Sequence, residues 1–282
     1  MSALREWFGL DGRVAVVTGG SGALGVAIAR ALAGAGAQVA LLGRRREPLL
    51  ARAEELREAG AAGAVAVTAD VRSAEELRAA ASTVLDRWER IDILINAAGG
   101  NVPAATLDDR TTVLELPAEA FREVVELNLL GALLPAQVFG TAMLDNARNR
   151  GEQPRGSIVN ISSMASARAI TRVPGYGAAK AALDSLTRSL AVELARSCGP
   201  GLRVNAIAPG FFVGEQNRRL LLEPGGEPTP RGRTIVERTP AGRFGDASEL
   251  ASTVVWLCGP GAGFVTGVVV PVDGGFSAYA GV

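Results

Sequence analysis

An α/β chain built on a parallel sheet is the fold class this sequence predicts, and three observations predict it. Short apolar runs recur along the chain, each nearly continuous rather than alternating, as strands buried on both faces must be. Segments of helical pattern separate them, which suits the crossovers that parallel strands need. A glycine-rich turn, Thr18-Gly19-Gly20-Ser21-Gly22-Ala23-Leu24-Gly25, follows the first run directly. With 282 residues, 48% of them apolar, one core suffices, so residues 1–282 read as a single domain. Right-handed crossovers then give a doubly wound, Rossmann-type parallel sheet of about seven strands with helices on both faces.

The elements follow in order. Strands are expected at Val14–Thr18, Gln38–Leu42, Ala64–Ala69, Ile91–Ile95, Ser157–Ser162, Arg203–Ala208 and Gly267–Pro271. Helices are expected at Ala23–Ala35, Glu47–Glu58, Ser73–Trp88, Pro117–Leu144, Gly177–Ala195 and Ala247–Leu257. Ser73 with Glu76 three residues on reads as a capping box. One region breaks the rhythm. Residues 211–244 are rich in Gly, Pro and Arg with only a weak helical stretch, and a long irregular segment in a compact domain is expected to be a binding loop.

Composition removes several function classes. Formal net charge is +0, so nothing electrostatic points to nucleic acid or a membrane surface. No stretch approaches the ~20 uninterrupted apolar residues of a membrane span, and residues 1–12 carry Arg5, Glu6 and Asp11 where a secretion signal would be apolar. Two cysteines, Cys198 and Cys258, form no metal or disulfide pattern, which suits a reducing cytoplasm. The chain has no histidine, so acid–base work falls to Tyr, Lys, Asp, Glu or Arg, and no metal site is expected. Of 29 lysines and arginines only Lys180 is a lysine. A position that kept lysine needs what arginine cannot give, a compact ammonium on a thin, flexible stem.

The glycine turn lies between a strand and a helix, where Gly19, Ser21, Gly22, Ala23, Leu24 and Gly25 can bring backbone N–H groups and a helix N-terminus to a pyrophosphate. Asp70, with Val71 beside it, ends the third strand and suits an adenine amino group. Asn96, Ala97, Ala98 and Gly99 end the fourth strand, at the carboxyl edge where ligands bind in this architecture. After the second strand stand Gly43, Arg44 and Arg45, with no carboxylate to repel a ribose 2′-phosphate and guanidinium groups to pair with it. NADP(H) is therefore favoured, with NAD(H) allowed.

Tyr176 and Lys180 stand four apart, on one face of a helix. An adjacent ammonium and an oxidised nicotinamide are expected to favour the phenolate, and the phenol can pass a proton to or from a substrate oxygen. Ser163, thirteen residues earlier, can orient that oxygen. Asn128 is polar within a long apolar helix, so its amide needs a partner; a water-linked relay to Lys180 is expected to supply it.

These residues together resemble the short-chain dehydrogenase/reductase family across nearly the whole chain: the Thr18–Gly25 turn, Asn96–Gly99, Asn128, Ser163, Tyr176, Lys180, and Pro209-Gly210 after the sixth strand. The resemblance implies catalysis by Asn128, Ser163, Tyr176 and Lys180, hydride transfer at the nicotinamide C4, cofactor contacts from Pro209, Gly210 and Phe212, and a homotetramer or homodimer. Ala23, Ala97 and Gly214 depart from the family pattern, the last where a threonine commonly touches the carboxamide.

Within the family, Ala98-Gly-Gly-Asn101, Ile161-Ser-Ser-Met164, residues 209–218 and the 273–282 tail are similar to the D-mannonate oxidoreductase (fructuronate reductase) branch, although Gly43 replaces an acidic residue common there. The implied reaction interconverts D-fructuronate and D-mannonate. Asn101, Arg168, Arg172, Gln216, Asn217 and Arg218 would then face an acidic polyol, together with Ser163. A gluconate-type or 3-oxoacyl reductase, and a non-catalytic NADP-binding protein, are the alternatives.

Overall fold

The computed structural model describes residues 3–108, 111–215 and 217–281. Seven strands, β1 (Val14–Thr18), β2 (Gln38–Gly43), β3 (Ala64–Thr68), β4 (Ile93–Asn96), β5 (Gly156–Ile161), β6 (Leu202–Pro209) and β7 (Val269–Val272), form one sheet in the order β3-β2-β1-β4-β5-β6-β7. All pairings are parallel. The strand order reverses between β1 and β4, and there Thr18 lies in register with Asn96, which pairs in turn with Asn160. The crevice beyond these strand ends is where this topology puts a ligand. Every residue of β1, β4 and β6 is buried, as the continuous apolar runs require, while the edge strand β7 is half exposed and tolerates Pro271.

Helices cover both faces. On one, α2 (Ala23–Gly34), α3 (Arg46–Glu58) and α10 (Ala247–Cys258) send Ile28, Leu49 and Leu250 into a core with Val17 and Ile95. On the other, α4 (Ala74–Trp88), α6 (Gly131–Asn149) and α7 (Pro174–Ser197) bury Leu77, Phe139 and Ala191 against Leu94 and Ile158. Phe139 is fully buried, and a side chain of that size contributes about 2–3 kcal/mol by leaving water.

Some elements differ from expectation. A short N-terminal helix, α1 (Ala3–Phe8), buries no residue of its own and so leaves no apolar stripe to read. The long helix expected from Pro117 is α5 (Ala118–Val125), a π-turn (Glu126–Leu130) and then α6. By length and composition residues 118–149 would pass for a membrane span; here they form one layer of the core, with Phe139 and Met143 buried. At the start of α4, Ser73 caps Glu76 N, but no reciprocal bond forms. Ser73 N is already held by the Asp70 carbonyl, so the Glu76 carboxylate reaches one turn further back, to Asp70 N. The 211–244 segment holds two short helices, α8 (Arg218–Leu221) and α9 (Pro230–Glu237), and is pinned at its base by a bridge between Phe212 and Gly245.

Candidate functional site

The carboxyl edge of the sheet is sewn together by Thr18. Its fully buried hydroxyl donates to the Ile95 carbonyl at 3.3 Å and accepts from Ala97 N and Ala98 N, both at 3.1 Å. Gly19 follows at φ 65, and a Cβ there would stand 2.8 Å from the Ala97 carbonyl oxygen, so the two strand ends touch backbone to backbone. Gly25 is held as tightly: its Cβ would fall 2.3 Å from Gly19 O. Gly22 caps α2 without any side-chain bond, which leaves first-turn N–H groups directed into the crevice. Ser21 lies on the same turn and Leu24 packs down on the core. The alanine at position 23 meets Gly214: a Cβ on Gly214 would be 3.4 Å from that of Ala23.

Gly43 closes β2 in register with Thr68, and a Cβ there would meet only Leu49, at 3.6 Å. Arg44 and Arg45 are exposed beyond it. Asp70 is held by Arg72 in a two-point ion pair, and Arg72 first, then the Arg44 charge with smaller effect, draw its carboxyl below the usual range. Val71 is buried and lies against Gly131, where a Cβ would approach its Cγ2 to 2.9 Å. The Asn96 Nδ2 donates to Ala132 O at 3.1 Å and Asn160 Oδ1 at 2.9 Å, tying β4 to β5 and α6, while its buried Oδ1 has no partner among the described residues.

Asn128 lies in the π-turn with no exposed surface. Its Nδ2 donates to Gly100 O at 2.7 Å and Val124 O at 2.8 Å, and its Oδ1 accepts from Gly100 N at 3.0 Å. The amide is therefore satisfied by backbone, and the relay expected to satisfy it is not required for that purpose. Lys180, also buried, donates to the Ile161 carbonyl at 2.7 Å. A Cβ on Gly99 would lie 2.7 Å from Asn128 Oδ1 and 3.3 Å from Lys180 Nζ, so loop, π-turn and α7 converge on one glycine.

Tyr176 opens the first turn of α7 and packs beside Ala105, Val124 and Ala179. Lys180 Nζ stands 5.6 Å from its ring centroid. Burial pushes the Tyr176 phenol up, and a hydrogen bond with Ser163 acts the other way. Burial draws Lys180 down to about 8, opposed by the charge of Asp184 one turn along. Loss of water thus dominates at both groups. Asp184 is itself fixed by the Ser162 hydroxyl.

Three segments meet beside this cluster. Pro209 pairs with Val272, Gly210 N donates to Val272 O, and Phe212 is buried over Gly245. Asn217 accepts from Gly214 N and donates to Phe212 O, both at 2.8 Å, fastening the turn after β6. Phe276 of the tail stacks edge-on against Phe211 at 5.3 Å, and Ser277 O accepts from Arg168. Arg172 sits at φ 76, with its carbonyl bound by Leu107 N. Asn101 donates to Thr106 Oγ1 and Val102 O, and its buried Oδ1 has no partner among the described residues. Arg218 is exposed at the head of α8. Gln216 lies outside the described residues.

Asn128 and Lys180 thus close on Gly99, with Tyr176 beside Lys180 and Ser163 acting on the Tyr176 phenol, whereas Asn101, Asn217 and Arg168 are largely engaged by their own loops and tail. Sequence reasoning gave no site role to Gly100, which Asn128 holds from both sides, or to Asp273. Asp273 accepts from Gly275 N and Ser277 N and so shapes the tail; nothing in its spacing marked it.

A family model described as enoyl-(acyl carrier protein) reductase matches residues 20–277. A Bacillus subtilis (strain 168) protein named uncharacterized oxidoreductase UxuB is 43% identical, the match covering 97% of this chain and 98% of that protein. A crystal structure of a candidate D-mannonate oxidoreductase from Haemophilus influenzae, with bound NAD, superposes with a TM-score of 0.88 at 38% identity, over 99% of this chain and 100% of that one. A gluconate 5-dehydrogenase from Burkholderia cenocepacia J2315, in complex with NADP and tartrate, gives 0.84 at 31% identity, over 98% and 99%.

Proposed function

The chain belongs to the short-chain dehydrogenase/reductase family of NAD(P)-dependent oxidoreductases, and from that premise we propose that it interconverts a ketone and a secondary alcohol of a sugar acid, with D-fructuronate and D-mannonate as the pair. One observation carries the chemistry: Asn128 and Lys180 close on Gly99 while Lys180 Nζ stands 5.6 Å from the Tyr176 ring.

The residues fit a dinucleotide. The glycine turn is too tight for side chains at Gly19 and Gly25, and the uncapped start of α2 offers N–H groups and a positive dipole end to a pyrophosphate. Gly22, Ala23 and Leu24 would hold it there, with Ala97, Ala98 and Gly99 under the nicotinamide. Gly43 and Arg44 support NADP(H), since the end of β2 carries no carboxylate and the Arg44 charge lies close enough to act on Asp70. The cofactor, when bound, supplies or accepts the hydride.

The chain's own residues handle the proton. Tyr176, kept protonated at neutral pH by burial, gives its phenolic hydrogen to the ketone oxygen in reduction. Ser163, close enough to act on the phenol, positions that oxygen. Lys180 spends one donor on Ile161 and has two left for a ribose and for solvent. Asn128 holds the 99–100 loop so that the space between these groups keeps its shape. Phe211 and Phe276, in edge contact, and Ser277, held by Arg168, would line the side on which a polar substrate rests. Exposed Phe121, Leu130 and Val192, on α5, the π-turn and α7, support self-association as a homodimer or homotetramer.

Absorbance at 340 nm tests the reading, with NADPH and NADH in parallel against D-fructuronate, other keto sugar acids and 3-oxoacyl thioesters. Oxidation of NADPH with D-fructuronate is expected. Activity confined to the thioesters would sink the substrate class. Tyr176→Phe should keep cofactor binding and lose turnover.

A further inference from the structure

Lys180 is a cation kept out of water. It is buried, and among the described residues it makes no ion pair. One donor goes to the Ile161 carbonyl at 2.7 Å. A charge given so little in return for its hydration tends to shed its proton. The neutral amine would have one donor fewer to offer a ribose.

The helix itself supplies a counter-charge one turn further on. Tyr176, Lys180 and Asp184 follow at intervals of four along α7 and so lie on one face of it. The end of β5 meets that face with three consecutive residues. The Ile161 carbonyl accepts from Lys180, the Ser162 hydroxyl donates to the Asp184 carboxylate, and Ser163 acts on the Tyr176 phenol. Ser162 is buried, and its own N–H donates to Ile207 O at 2.7 Å, so the hydroxyl that reaches Asp184 is anchored in the sheet. The carboxylate is thereby tied to the residue next to the one that receives the ammonium.

Other charged groups on α7 and on the elements packed against it are engaged or exposed. Arg188 and Glu193 of α7 are exposed. Glu123 of α5 and Glu126 of the π-turn act on Arg72, and Arg122 pairs with Glu119. Arg203 of β6 donates to Leu257 O and Val265 O. The charge of Asp184 works against burial at Lys180, and the balance leaves the ammonium at about 8.

We propose that Asp184 is a positioning residue that keeps Lys180 an ammonium and, through Ser162, holds the Ile161 carbonyl to which that ammonium is bound. Asp184 acts through Lys180 and touches neither substrate nor cofactor. The use made of Lys180 rests on the reaction proposed above; the hold of Asp184 on Lys180 is measurable without it.

The chain's only lysine makes the test direct. Full-length protein grown on lysine labelled with carbon-13 at Cε gives one side-chain resonance, and its shift against pH titrates Lys180 alone. The midpoint is expected near pH 8 in the wild type and about one pH unit lower in Asp184→Asn. Asparagine keeps the shape and still accepts from Ser162, so this variant removes the charge alone, with thermal melting as the check on folding. Asp184→Glu should recover most of the shift, and Glu193→Gln should match the wild type. Ser162→Ala keeps the carboxylate but frees it to turn to water, and should move the midpoint the same way by less. The alkaline limb of kcat for D-fructuronate reduction with NADPH should move down with Asp184→Asn, because burial pushes the Tyr176 phenol up and keeps it protonated there. A midpoint unmoved in Asp184→Asn, or moved equally in Glu193→Gln, overturns the proposal. If no sugar acid is reduced, the titration still decides for or against Asp184, and the proposed reaction alone falls.

Discussion

Asn128 and Gly100 exchange two hydrogen bonds, the Asn128 amide donating at 2.7 Å to the glycine carbonyl and accepting at 3.0 Å from its N–H. A side chain thereby pairs with a loop as a neighbouring strand would. Gly100 adopts φ 137, open to glycine alone, and presents both groups to one amide. Asn128→Ala would orphan these two groups and take one donor from the Val124 carbonyl. The expected cost is about 2–4 kcal/mol in urea unfolding, with a larger fall in kcat than in cofactor affinity. An unchanged midpoint would show that the loop is held by something else.

Gly99 should tolerate no side chain. The Asn128 oxygen that a Cβ would strike at 2.7 Å is fixed by Gly100 and cannot withdraw, and Lys180 Nζ closes the other side at 3.3 Å. Gly99→Ala is expected to lose about tenfold or more in kcat/KM, as overpacking by about 1–3 kcal/mol is relieved by shifting Asn128 or Lys180. Steady-state kinetics with NADPH decide it.

Gly43 is the opposite case. A side chain there meets only Leu49 at ordinary contact distance, so Gly43→Asp should fold with an unchanged melting temperature. Its carboxylate would repel a 2′-phosphate and accept from a free ribose hydroxyl. The expected change in the ratio of kcat/KM for NADPH to that for NADH is about 100-fold toward NADH. No change would mean that the ribose does not lie at the end of β2.

Lys180 should make the protein less stable than it could be. Its pKa is drawn from 10.5 to about 8 by burial, so at pH 7 the unfolded chain holds this proton more tightly than the folded one. Stability therefore rises with pH between about 8 and 10.5 from this group, and the full penalty is present below 8. Lys180→Met removes the penalty of about 3 kcal/mol and loses about 1 kcal/mol with the Ile161 bond. The inactive variant should be about 2 kcal/mol more stable at pH 7, the advantage fading between about pH 8 and 10.5. A destabilised Lys180→Met at pH 7 would contradict the burial argument.

Strands and the glycine turn were legible because their signals are local and repeated: Val14–Thr18 and Gln38 onward need only be apolar and correctly punctuated. The break at Asn128 was not, since one residue more in a turn leaves the 3.6-residue period almost unaltered. Asn96 read as a cofactor residue because its place at a strand end is visible, while its bonds to Asn160 and Ala132 arise only when β5 and α6 arrive. Tyr176 and Lys180 announced themselves through rarity and spacing. Asp184 is one carboxylate among many, and only the Ser162 hydroxyl that reaches it sets it apart.

Because the sole lysine is also a buried one, the folded protein offers amine-directed chemistry almost no side-chain target. Acylating reagents, aldehyde cross-linkers and lysine-specific proteases would all be obliged to report on a single position, and on whether the interior around Tyr176 has opened. A label at Lys180 would then serve as a clock for that opening, read one molecule at a time without any engineered tag.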